Sequence, residues 1–186
     1  MITDKIKEVN RIYGQVDRHV SAFKRRSGLA CETGCGDCCL KEDLQAGVLE
    51  FLPAAYELYF TDSYQTVLDR IDENKDSTCV FFSPFGEKGH CSFYGHRGLI
   101  CRLFGFSAMT DKKGEKRLVT CQKIKNQLAG CAPGCVQQHA PSMSSYYLRL
   151  NSIDPGLSLK NIPVNQAIKE AIETVVFFSG FRKKPA

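Results

Sequence analysis

The sequence predicts an α+β fold: one small, mainly helical domain with short antiparallel hairpins set around a cluster of cysteines. Three observations predict it. Apolar residues recur three and four apart near both ends of the chain, which is the period of a helix face. Two central stretches combine β-forming residues with turn signals. Ten cysteines occur in 186 residues, and four of them fall within nine positions, at Cys31, Cys35, Cys38 and Cys39.

In chain order, Ile2, Ile6, Val9, Tyr13, Val16, Val20 and Phe23 line one helix face, and Ser27-Gly28 ends that helix. Its seam is expected to pack on its own domain, with a contact to a second copy as the alternative. Residues 43–52 carry no clear period. Pro53 suits a first helical turn, where its missing N–H would be unpaired in any case, in a helix running through Tyr59. Ser63 can cap a further helix with Val67, Leu68 and Ile71 on one face. Residues 72–77 read as a loop.

Cys79-Val80-Phe81-Phe82-Ser83 reads as a strand, residues 84–89 as a turn, and Cys91-Ser92-Phe93-Tyr94 as the returning strand. About one helical turn is expected before Gly105. Asp111-Lys112-Lys113-Gly114 marks a second hairpin, returning through Leu118-Val119-Thr120. Residues 144–150 suit a short helix, and Asp154-Pro155-Gly156 a turn. Residues 163–178 form the best-defined helix, with Val164, Ile168, Ala171, Ile172 and Val175 on one face. These readings divide the chain into an N-terminal amphipathic helix (1–28), a cysteine core (29–140) and a C-terminal helical segment packed on it (141–186).

Composition narrows the function. At 43% hydrophobic the chain can bury a core without covalent staples. No apolar run approaches a transmembrane span, and no basic segment followed by an apolar run opens the chain, so a reducing cytoplasm is expected. The net charge of +5 is spread among acidic neighbours, and Lys24-Arg25-Arg26 and Arg182-Lys183-Lys184 lie beside expected helix ends. Cations there complement the helix dipole and do not call for a nucleic acid.

In a reducing compartment, clustered thiols bind metal or do redox chemistry more often than they form disulfides, which remain the alternative. Cys31, Cys35, Cys38 and Cys39, with Gly34 and Gly36 between them, can aim several sulfurs at one point. The pattern C-x3-C-x2-C-C continues into Cys79 and then Cys91-x2-Tyr94-x2-Arg97-x3-Cys101-Arg102. Over residues 31–106 this resembles the bacterial YkgJ-type cysteine-cluster family of zinc- or iron-chelating domains. That family usually has proline where this chain has Gly98. The resemblance implies a thiolate-bound metal, either zinc or an iron–sulfur cluster.

Both fit a four-thiolate count. A contiguous four-sulfur loop suits a [4Fe–4S] cluster better than the two separated knuckles of a zinc ribbon. The expected principal ligands are Cys31, Cys35, Cys38 and Cys101, followed by Cys39, Cys79 and Cys91. Adjacent Cys38 and Cys39 point differently along the backbone, so they can serve different sites. Cys121, Cys131 and Cys135 form a candidate second site, or else are buried free thiols. Arg97 and Arg102 are expected to offset sulfur charge or to form ordinary ion pairs, and Tyr94 to donate to a cluster sulfur. His90 and His96 are the only credible imidazole ligands. The function expected is a redox or electron-transfer role, with a protein redox partner or a homo-oligomer formed through the amphipathic helices. An iron–sulfur oxidoreductase, or a subunit of one, is the enzyme class this allows. The alternative is a zinc-stabilised interaction module.

Overall fold

The computed structural model describes residues 1–31, 35–74, 76–85, 89–128 and 136–180. It is a helical assembly with three two-stranded antiparallel pairs, an α+β domain of the kind the sequence predicts. Helix α1 (Ile2–Ser27) buries Ile6, Val9, Ile12, Tyr13, Val16, Val20 and Phe23 and stops at Gly28, whose φ of 69° returns its N–H to the Lys24 carbonyl. The seam of α1 is therefore filled by the chain's own α2, α4 and α6.

Helix α2 (Val48–Phe60) is the central element and packs most extensively on α8 (Val164–Gly180). Every residue of α2 from Val48 through Ala55 is buried, so no amphipathic period marks it. It begins earlier than the sequence suggests, and Pro53 lies inside it. The start is set by Glu50, whose carboxylate reaches back to the Gly47 N–H at 3.1 Å. Strand β1 (Gln45–Ala46) precedes α2 and pairs with β6 (Ile162–Pro163), so the chain before α2 is tied to the chain before α8. Helix α3 (Tyr64–Glu73) buries Val67 and rests on α8. Ser63 stands at its N-cap, but its hydroxyl donates to the Thr61 carbonyl and does not cap the helix.

The first hairpin is shorter than its β-forming residues suggest: β2 (Phe82–Ser83) pairs with β3 (His90–Cys91). Residues 79–81 turn instead, with the Phe82 N–H donating to Cys79, because the Cys79 N–H is engaged by the Cys39 carbonyl at 2.9 Å. After Cys91 the chain enters a single 3-10 turn, Tyr94–His96, and then α4 (Leu99–Leu103). The second hairpin, β4 (Ser107–Thr110) with β5 (Lys116–Val119), forms as expected. Helix α5 (Gln122–Leu128) follows Cys121, and α6 (Met143–Asn151) is capped by Ser142. Asp154 opens a short helix α7 (Pro155–Ser158) where a turn was expected, by accepting the Leu157 N–H. Among the described residues no helix is long and apolar enough to cross a membrane.

Candidate metal centre

Three segments converge beside α1: the cysteine loop, the β2–β3 hairpin and α4. The loop lies close on the hairpin. A Cβ at Gly36 would stand 2.7 Å from the Phe82 ring, and one at Gly89 would stand 2.5 Å from it, so only glycine leaves room on either side of that ring. The Cys39 N–H donates to the Gly36 carbonyl and tightens the turn. The result is a cavity of about 340 Å³ lined by Cys31, Cys35, Cys38, Cys39, Cys79, Cys91 and Cys101. Cys121, at the mouth of α5, shares with Cys31 an adjoining cavity of about 240 Å³. All eight described cysteines are free thiols. Cys131 and Cys135 lie outside the described residues.

The thiols touch one another. Cys39 is most affected by Cys79 and Cys91, and Cys31 by Cys35. Burial, then repulsion from Cys35, pushes the Cys31 thiol up to about 11, and burial with repulsion from Cys31 and Cys121 pushes Cys38 up to about 12. The neighbouring Cys79 thiol does most to carry Cys39 to about 12. Burial and then Glu50 raise Cys101 strongly, against the pull of Arg97. A single thiolate is costly here, and several together need a cation. The donor set is thus all sulfur, dense and averse to bare negative charge, which fits a zinc ion or an iron–sulfur cluster. Among the described residues no three of these side chains could hold a metal ion as they stand.

Cations surround the sulfurs. The Arg97 guanidinium lowers Cys38, Cys91 and Cys101 and lies 3.6 Å from the centroid of the Tyr94 ring. Tyr94 therefore serves through its ring face, as the platform for Arg97. Lys123 reaches the Cys35 sulfur at 3.6 Å while paired with Asp37 at 2.9 Å. Lys24 lowers Cys31, and its own ammonium is lowered by burial. Lys24 and Lys123 were missed by sequence reasoning: Lys24 lies in the last turn of α1, where a cation already complements the dipole, and Lys123 lies in a stretch to which no element was assigned.

Arg102 also lines the cavity and is held by several partners. It donates to Asp17 at 2.6 Å, to the Gly95 carbonyl at 2.6 Å and to the Arg97 carbonyl at 2.8 Å, and it stacks over Tyr13. Sequence reasoning also missed Glu50, which is fully buried. Its second carboxylate oxygen accepts the Ile100 N–H at 2.8 Å, and Tyr147 donates to it as well. Glu50 thereby fixes the helix that carries Cys101. A Gly-x-x-Glu spacing at 47–50 was the available signal. His90 is engaged with the Phe85 carbonyl and His96 stacks on Phe93.

Neither a curated protein nor a solved structure matches the chain. One family model does: the CxxCxxCC family, described as a putative zinc- or iron-chelating domain, matches residues 30–122. That is half of the 186 residues, and it takes in all eight described cysteines while stopping before Cys131. Cavity, donor set and family match agree, and the chain belongs to the CxxCxxCC family of zinc- or iron-chelating domains.

Proposed function

We propose that the cysteine cavity carries an iron–sulfur cluster of the [4Fe–4S] type and that the protein transfers electrons to or from a protein partner. One observation carries this reading: seven sulfurs line a single cavity of about 340 Å³. A lone zinc closes four sulfurs into a tetrahedron with metal–sulfur bonds of about 2.3 Å and leaves neither spare thiolates nor spare space. A cluster supplies one-electron chemistry at a potential set by its charge, its hydrogen bonds and its exposure.

The chain's own residues set those terms. Residues 29–140 make the metal-binding core, with 1–28 and 141–186 as helical flanks. The ligands come from Cys31, Cys35, Cys38, Cys39, Cys79, Cys91, Cys101 and Cys121. Arg97 and Lys123 offset the anionic charge of the sulfurs, Tyr94 holds Arg97 in place, and Phe81, Phe104 and Phe106 limit water on the cavity wall. A reducing compartment such as the cytoplasm keeps the thiols available.

The test is metal and acid-labile sulfide analysis of protein purified without oxygen. Iron and sulfide in equal amounts, with broad visible absorption bleached by dithionite, are expected. Colourless protein with stoichiometric zinc and no sulfide overturns the reading.

A further inference from the structure

We infer that the eight described cysteines of the chain's ten form two four-sulfur metal centres side by side: Cys31, Cys35, Cys38 and Cys121 in one, Cys39, Cys79, Cys91 and Cys101 in the other. The division rests on the metal-binding reading above, but not on the choice between a cluster and zinc.

The first group is assembled by α5. The Gln127 side chain holds both backbone groups of Ala30, accepting its N–H at 3.0 Å and donating to its carbonyl at 2.8 Å. Lys123, one turn earlier, reaches the Cys35 sulfur and Asp37. These contacts seat the start of α5 on the loop and bring Cys121 to Cys31 in their shared cavity. The thiol environment agrees: Cys31 and Cys121 are the sulfurs that Cys38 feels most, followed by Cys35.

The second group is assembled by the hairpin. The Cys79 N–H donates to the Cys39 carbonyl, β3 presents Cys91, all three sulfurs line the larger cavity, and Cys79 and Cys91 are the sulfurs that Cys39 feels most. Cys101 feels both Cys38 and Cys39 and so stands at the seam. With four sulfurs already in the first group, it completes the second. Neighbouring Cys38 and Cys39 fall into different groups by the sulfurs each feels most, Cys31 and Cys121 for Cys38, Cys79 and Cys91 for Cys39. A zinc would draw four sulfurs to about 3.8 Å of one another, given metal–sulfur bonds of about 2.3 Å, whereas a cluster takes one sulfur per iron and spreads them around a cube; either loading needs the thiols to rotate from their present positions. Lys123 stands beside the first group, and Arg97 acts on Cys38 of the first and on Cys91 and Cys101 of the second.

The test compares iron, zinc and acid-labile sulfide per chain in the full-length protein, reconstituted anaerobically. The variants are Cys31→Ser/Cys121→Ser, Cys79→Ser/Cys91→Ser, and Cys131→Ser/Cys135→Ser, with Cys39→Ser/Cys101→Ser as the substitute should the buried second pair fail to fold by circular dichroism. The wild type should hold about eight irons with matching sulfide, or two zincs. Each pair drawn from one group should lose half of the load, and the Cys131/Cys135 pair should lose none. One centre's worth of metal in the wild type, complete loss from one paired variant, or half loss from the Cys131/Cys135 pair overturns the division. Two zincs without sulfide, halved by each pair, uphold the division and overturn the cluster.

Discussion

Burying Glu50 takes a carboxylate out of water, and the fold compensates with two backbone donors and the Tyr147 hydroxyl. The compensation is incomplete, since burial still raises its pKa from 4.5 to about 7. Between those values the unfolded chain gives up a proton that the folded chain keeps. Stability therefore falls as pH rises through this window and is flat above it. In metal-free, reduced protein the urea midpoint should drop from pH 5 to pH 7. Glu50→Gln should flatten that slope, yet lower stability by about 1–3 kcal/mol, because an amide offers one acceptor oxygen to donors that meet two. A slope unchanged by the substitution would remove Glu50 as its source. Arg102 is as confined, with its donors spread over Asp17, Gly95 and Arg97 and its plane on Tyr13. Arg102→Lys keeps the charge but loses the fork and the stacking, and should cost about 1–3 kcal/mol by denaturant unfolding, with little rescue relative to Arg102→Ala.

At the scale of elements, the glycine that departs from the family pattern has a steric reason. Gly98 has φ −63°, an angle that proline adopts, so the backbone itself would accept the usual residue. A Cβ there would stand 2.9 Å from the Phe51 ring tip. Phe51 of α2 occupies the space that a side chain at 98 would need. Gly98→Ala should destabilise the chain by about 1–3 kcal/mol, and adding Phe51→Leu should recover part of that loss, a favourable coupling measurable in a double-mutant cycle. Additive effects would show that the two side chains do not compete. Elements with a local period were legible in sequence: α1 with its Gly28 stop, the turn at 111–114, and the apolar face of α8. Elements set by distant partners were not. The buried run in α2 has no polar face to give it a period, and β1 and β6 are two residues each and meet only through tertiary packing. The loop cysteines were recognisable as a cluster from spacing alone, and Cys31, Cys35, Cys38 and Cys39 do line one cavity. The association of Cys121 with Cys31 depends on Gln127 and Ala30, which nothing local in the sequence connects.

For the whole molecule, the α2–α8 core and the sulfur cavity meet on α2, where Phe51 lines the cavity and its neighbours Leu49 and Leu52 are buried in the core. The apolar core extends well beyond the cysteines, through α1, α6 and α8. Metal removal should therefore lower the melting temperature while leaving helical circular dichroism largely intact, unlike a small zinc finger that unfolds without its ion. Loss of the helical signal on chelation would assign the core itself to the metal. Conversely, Ile172→Ala in α8, which is fully buried, should cost about 2–5 kcal/mol in either state.

The single peptide link between Cys38 and Cys39 also bears on how the two inferred centres would fill. Fixing the Cys38 sulfur on one ion orders the backbone on both sides of a single peptide link, and so orders Cys39 before its own ion arrives. The entropy of arranging that link is lost once and shared by two binding events. Loading should then be cooperative, with half-filled chains scarce in native mass spectra at substoichiometric metal, and a glycine inserted between residues 38 and 39 should restore independent filling.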